Sequence, residues 1–310
     1  MGSESLDAIE VSLSPTFQAV MSISLVIMMF TVALGLRVAD FRGLSKEPVP
    51  VAGGALTQLI GLPVLTFLLV LLVRPDPSIA LGMFVVASCP GGNVSNALTM
   101  FARGDTAFSV SLTAISSVVS AFLTPITILL LSSLYPPTAE LMATLDIGPL
   151  PFLLQTFALL GLPLAAGITV AERVPDFAAR LRRVLQPVAL IILMSLILVG
   201  GYANRDVLFG SGMLLFPLVG LHNALAFALG GAMALLLRLS MPRVRALSFE
   251  VGIQNAGLGL IILLAHFDGS GGAVAVTALW GVWHILAGFL LVVVYRSWEY
   301  LTSRRDETAE

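Results

Sequence analysis

Leu247–Phe267 reads LSFEVGIQNAGLGLIILLAHF. The stretch is long and apolar enough to cross a bilayer, for which about 20 residues suffice. Yet it holds Glu250, Gln254, Asn255 and three glycines. A carboxylate at the centre of a membrane span costs about 2.5–3.5 kcal/mol on insertion scales, and such residues mark ion or substrate pathways. Glu250, Gln254 and Asn255 follow an i, i+4, i+5 spacing, which puts them on one helix face. That face is too polar for lipid, so the rest of the chain must cover it. The competing reading is that Glu250, about 7 Å along a helix from Arg245, snorkels to the interface.

The composition settles the class. Of 310 residues, 57% are hydrophobic and 11% charged, against about 25% charged in soluble domains. The chain is an integral membrane protein. It has no basic patch of the kind nucleic-acid binding needs. A single cysteine, Cys89, excludes internal disulfides and multi-cysteine metal sites. The acidic start MGSESLDAIE lacks the basic segment of a signal peptide. No Walker loop, strand-linked glycine fingerprint or Ser/His/Asp arrangement is present, so an enzyme or an ATP-driven pump is not expected.

Charged residues divide the chain into spans. Uncharged runs of 26 residues separate Glu10 from Arg37, Glu47 from Arg74 and Asp76 from Arg103. Others cover 106–139, 147–171, 184–204, 207–237 and 269–295; with the Glu250 stretch they make nine candidate spans. The runs are too long and too uniformly apolar for barrel strands. With the N-terminus outside, 14 of the 16 Lys and Arg fall in inside segments, leaving Arg74 and Arg205 outside. The positive-inside rule therefore predicts nine helices, N-terminus outside and C-terminus cytoplasmic, in an inner or plasma membrane.

Two spans are broken. The third, at 77–102, carries Cys89-Pro90-Gly91-Gly92 near its middle; the other, at 246–267, carries Gly252, Gly257 and Gly259 around Gln254-Asn255. Proline removes a backbone donor and paired glycines unwind the helix. Each break is followed by an apolar half-helix, a short polar connection and a further helix that starts with small residues, at 108–115 and 273–279. By the charge rule these two spans run in opposite directions, which predicts inverted repeats: four helices over 1–140, five over 141–300 and a cytoplasmic tail at 301–310. Interrupted spans at matching positions of inverted halves point to the binding site of a secondary transporter.

The polar inventory suits a hard cation and an anion. Gln58, Asn93, Ser95, Asn96, Ser109 and Thr113 offer oxygens near the Glu250 face. Several neutral oxygens and one carboxylate are what Na⁺ takes. No Lys or Arg lies within a span, so an anion would rest on half-helix N-termini. His222 reads as a hydrogen-bonded packing residue and His284 as a cavity residue. Each polar residue also has a structural reading: Ser109 and Thr113 can bond back to their own helix, and Gln58 can pin two helices.

SCPGGNVSNALTMFARGDTAFSVSLTAISSVVSAFLTPI (88–126), FEVGIQNAGLGLIILLAHF (249–267) and VWHILAG (282–288) resemble the signature blocks of the bile acid:sodium symporter family, which includes bacterial homologues of the apical sodium-dependent bile acid transporter. The resemblance covers essentially the whole chain. It implies two inverted repeats, the first helix of repeat one being absent, and a core domain with two crossing discontinuous helices beside a panel domain. It implies symport of an organic anion with two sodium ions. The first ion would fall on Ser95, Asn96, Ser109, Thr113 and Glu250. The second would fall on Gln58, Glu250, Gln254 and the carbonyls of Val251 and Ile253. Substrate would meet Asn93, Val94, Asn255, His284 and Ile285. Bacterial bile acid carriers resemble one another in a threonine where this chain has Asn93, and in a His-Asn pair where it has His284-Ile285. A small carboxylate such as pantoate or a keto acid therefore fits as well as a bile acid.

The expected protein is a monomeric secondary transporter. The alternatives are a proton-coupled or uncoupled anion exporter of the same fold, and a non-transporting receptor or sensor. Sodium dependence separates the first reading from both.

Overall fold

The computed structural model describes residues 15–37, 47–145, 147–203, 212–267 and 270–307. The N-terminal segment, residues 38–46 with Arg42 and Lys46, residues 204–211 with Arg205, and Asp268-Gly269 lie outside the described residues, as does the Asn93 side chain.

Among the described residues the structure is built of helices joined by short connections. The helices are α1 (Pro15–Ala33), α2 (Pro48–Val73), α3 (Pro77–Ser88), α4 (Asn93–Phe101), α5 (Thr106–Leu134) and α6 (Pro136–Thr144), followed by α7 (Pro149–Arg173), α8 (Pro175–Ala203), α9 (Gly212–Leu236), α10 (Met241–Gly252), α11 (Ala256–His266) and α12 (Gly271–Glu307). Among the described residues five stretches are long and apolar enough to cross a membrane unaided: Pro48–Val73, Thr106–Leu134, Pro149–Arg173, Leu215–Leu236 and Gly271–Leu301. The protein is thus an all-helical, multi-pass membrane protein.

Both sequence-predicted breaks are present, as the gaps between α3 and α4 and between α10 and α11. Each half-helix is too short to span alone. Their polar ends are tolerated because they are buried in protein. Between α5 and α6 a single residue, Tyr135, caps both helices, and both prolines open α6. Proline is accepted there because the first helical turn has no use for its missing N–H. α12 runs on through Glu307, well into the polar tail.

α1, α7 and α8 pack on one another; α1 and α8 lie along α11, α7 packs along α5, and α8 also touches α12. The remaining helices enclose the two breaks. Outward faces carry exposed Leu68, Leu72, Phe122, Leu130, Leu290 and Val294, the apolar surface a bilayer requires. The interior is unusually polar for such a protein, with Gln58, Ser95, Ser109, Thr113, Ser116 and Glu250 all buried.

At the end where basic residues concentrate, ion pairs tie several elements together. Arg243 pairs with Glu47 at 2.5 Å and with Asp105 at 3.1 Å. Arg245 donates to the Ala102 carbonyl at 2.7 Å and lies 3.5 Å from Glu299. Arg245 is therefore committed away from Glu250, against the snorkelling reading.

Candidate functional site

Local chemistry explains both breaks. Pro90 biases the residue before it towards extended backbone, and Cys89 has φ −73°, ψ 154°. Gly92 is extended too (φ −98°, ψ 153°) and leads into α4. In the second break Ile253 is extended (φ −111°, ψ 106°). Asn255 then caps α11, its Oδ1 accepting from Leu258 N–H at 3.1 Å, a preferred N-cap arrangement.

The two extended segments cross and pair. Gly92 N–H donates to the Ile253 carbonyl at 3.1 Å, and Asn255 N–H donates to the Pro90 carbonyl at 2.9 Å. Gly91 and Gln254 form an antiparallel bridge. Each broken helix thus satisfies backbone groups the other exposes, which is how irregular backbone survives at membrane depth.

Glu250 sits at this crossing with no exposed surface. Its Oε2 accepts from Ser95 Oγ at 2.8 Å and Thr113 Oγ1 at 2.7 Å, and its Oε1 from Ser116 Oγ at 3.3 Å. Asn96 Oδ1 accepts from Ser109 Oγ at 2.7 Å and Thr113 Oγ1 at 3.3 Å. Ser95, Asn96, Ser109, Thr113 and Glu250, predicted as one set, therefore form a continuous cluster drawn from α4, α5 and α10. Among the described residues no cationic side chain forms an ion pair with Glu250. Hydroxyls can turn their oxygens towards a cation as readily as they donate protons. Thr113 also makes the expected bond back to Ser109, at 3.1 Å.

Of the second predicted set, Gln58, Gln254 and the Val251 carbonyl are joined by hydrogen bonds; Glu250 makes its bonds to the first set, and the Ile253 carbonyl accepts from Gly92 N–H. Gln58 Nε2 donates to Gln254 Oε1 at 2.8 Å and to the Cys89 carbonyl at 3.3 Å, and Gln254 Nε2 donates to the Val251 carbonyl at 2.7 Å. The carbonyls of Val251 and Ile253 flank Gly252 at the end of α10. Gln58 lies on a π-turn, Thr57–Gly61, within α2.

A cavity of about 400 Å³ opens beside the crossing. Its lining includes Val94 and Asn255 at the starts of α4 and α11, Gln254, His284 and Ile285, with Thr31 and Gln186 opposite. The volume falls within the usual small-molecule range of about 300–1,000 Å³. Among the described residues neither Lys nor Arg lines it. His284 Nδ1 lies 2.5 Å from the Trp280 carbonyl. A carbonyl only accepts, so Nδ1 carries the proton and Nε2 of the neutral ring is an acceptor. Of the substrate set, Val94, Asn255, His284 and Ile285 all line this cavity, and Asn93 opens α4 at its edge. His222 is elsewhere, 2.7 Å from Thr66 and edge-on to Trp280, a packing histidine as read.

Ser116, Thr99 and the π-turn were not singled out in the sequence. Ser116 continues the Ser109, Thr113 face at i+7, a signal available from spacing alone. Thr99 Oγ1 donates to Ser109 Oγ at 3.3 Å. The π-turn lies just before Pro63, which has no N–H for a regular helical bond, and π-turns recur at functional sites.

The profile of the Sodium Bile acid symporter family matches residues 22–211. The "Uncharacterized sodium-dependent transporter YocS" of Bacillus subtilis (strain 168) is 32% identical over 284 residues, covering 92% of this chain and 85% of that protein. A "Probable sodium/metabolite cotransporter" of chloroplasts in Oryza sativa subsp. japonica is 29% identical, covering 93% and 67%. The "Sodium-dependent organic anion transporter" of Homo sapiens is 25% identical, covering 93% and 75%. The chain belongs to the sodium bile acid symporter family, and it is a membrane transporter rather than an enzyme.

Proposed function

We propose that this protein couples two sodium ions to the inward movement of one organic anion by alternating access. One ion takes Ser95, Asn96, Ser109, Thr113 and Glu250; the other takes Gln58, Glu250, Gln254 and the carbonyls of Val251 and Ile253. The observation that carries this reading is the buried Glu250 carboxylate, bonded by three hydroxyls and without an ion-pair partner among the described residues. Sodium would supply the missing positive charge.

The anion occupies the cavity at the starts of α4 and α11. There, backbone N–H groups and helix dipoles favour negative charge, with Asn93, Val94, Asn255, His284 and Ile285 around it. A bile acid or a small carboxylate such as pantoate or a keto acid is the substrate class. We assign the inverted repeats to 1–140 and 141–300, with nine passes, the N-terminus outside and a cytoplasmic tail. The helices around the two breaks act as the core, and α1, α7 and α8 as the panel it moves against. The protein works as a monomer.

Two sodium ions with one monovalent anion carry one net charge inward. An inside-negative potential then contributes about 2.3 kcal/mol per 100 mV. Uptake into proteoliposomes is expected to require an inward sodium gradient and to accelerate when the interior is made negative. Equal uptake from potassium buffer would sink the coupling and favour an uncoupled carrier. Absence of any uptake across a panel of carboxylates and bile acids, with sodium still bound, would favour a receptor.

A further inference from the structure

Breaking a helix leaves carbonyls without donors. Three consecutive ones at the end of α10 find them in different places. Gln254 Nε2 donates to Val251 O at 2.7 Å, Asn223 Nδ2 to Gly252 O at 2.8 Å, and Gly92 N–H to Ile253 O at 3.1 Å. The outer two donors belong to the crossing itself. The middle one comes from α9, outside it. In an uninterrupted helix Ala256 N–H would bond Gly252 O; here it turns to Gln254 O at 2.9 Å.

Asn223 is fully buried. Its amide orientation is fixed, because Gly252 O accepts and only the nitrogen donates. One turn on, the Phe227 ring lies where a Cβ on Gly252 would fall, so this α9 side chain packs directly on the bare Gly252 backbone. The Asn223 Oδ1 has no partner among the described residues; the side chain serves through its donor. The first break has a similar device: Gln58 Nε2 donates to the Cys89 carbonyl just past α3 at 3.3 Å. In each case the amide comes from the helix that immediately precedes the broken one in the chain.

We infer that Asn223 is a positioning residue for the second cation set. It draws the Gly252 peptide towards α9 and so fixes how the flanking carbonyls of Val251 and Ile253 face the crossing. This rests on the sodium-coupled reading above, and Asn223 itself touches neither ion nor substrate.

The test uses the full-length protein reconstituted in liposomes, with Asn223→Leu, which keeps the size and removes the donor, and Asn223→Gln, which keeps an amide donor. Backbone hydrogen exchange over 252–256 is expected to speed up in Asn223→Leu while the rest of α10 is unchanged. The sodium concentration for half-maximal uptake should rise about tenfold, the effect of one lost buried hydrogen bond, with the substrate KM at saturating sodium within about twofold of the wild type. Asn223→Gln should recover part of both changes. Unchanged exchange at 252–256 in Asn223→Leu overturns the inference, as does an unchanged sodium half-saturation when the wild type is sodium-dependent. If wild-type uptake proves independent of sodium, the coupling reading falls, and the inference falls with it as a cation-positioning role.

Discussion

Glu250→Gln is expected to abolish sodium-driven uptake while leaving the fold intact. Glutamine keeps the volume, and its oxygen can still accept from Ser95 and Thr113, now at 2.8 and 2.7 Å from Glu250 Oε2. What it lacks is the charge. Both proposed sodium sites use this carboxylate, so both lose their anionic ligand together. The sodium half-saturation should rise at least about a hundredfold, equivalent to roughly 2.8 kcal/mol. Stability without sodium should move the other way. A buried carboxylate without a cation costs a few kcal/mol at membrane depth, of order 2.5–3.5, and the amide does not carry that cost. The variant should therefore unfold at a higher temperature than the wild type in sodium-free buffer. Sodium-dependent uptake at wild-type half-saturation in Glu250→Gln would return the residue to a structural role.

The second large effect belongs to Gly91, and its neighbour provides the control. A Cβ on Gly91 would overlap the Glu250 carboxylate, lying 2.8 Å from Cδ and 3.3 Å from the Glu250 carbonyl oxygen. Three hydroxyls already hold that carboxylate in place, so moving it aside would break those bonds. Gly91→Ala should lose uptake and destabilise the protein by about 1–3 kcal/mol, the usual range for overpacking. At Gly92 the nearest atoms to an added Cβ are 3.6 Å away, ordinary contact, and φ is −98°. Gly92→Ala should keep most of its activity. Thermal unfolding and uptake measured on the pair give the result; equal behaviour of the two variants would show that Gly91 is needed for unwinding alone, not for the close approach to Glu250.

The membrane class and both helix breaks could be read from the sequence because they depend on local chemistry. Charge-free runs report hydrophobic thickness, and Pro90 with Gly91 and Gly92 cannot continue an α-helix. Gln254 and Asn255 were legible as polar residues at one depth. Their pairing with Gly91 and Pro90 was not, since antiparallel contact between segments more than 150 residues apart leaves no local pattern. The cation sets were named through family resemblance, and their side chains converge as two clusters sharing the crossing. Ser116 was readable from spacing along α5 but lacked any separate signal that its face met Glu250. Asn223 carries no signal of its own in the sequence; its partner is a backbone carbonyl, which no residue type announces. The π-turn around Gln58 is a register change in the backbone, visible in retrospect through Pro63.

The most direct measurement is the unfolding temperature of the purified protein titrated with sodium chloride at constant ionic strength, with potassium replacing sodium. A ligand bound only by the folded state adds RT ln(1 + [L]/Kd), about 1.4 kcal/mol per tenfold once sodium exceeds Kd for one site. The wild type should show a rise specific to sodium, and Glu250→Gln should show none. An identical curve in potassium, or a sodium response that survives in Glu250→Gln, would contradict a sodium site built on the crossing of the two broken helices.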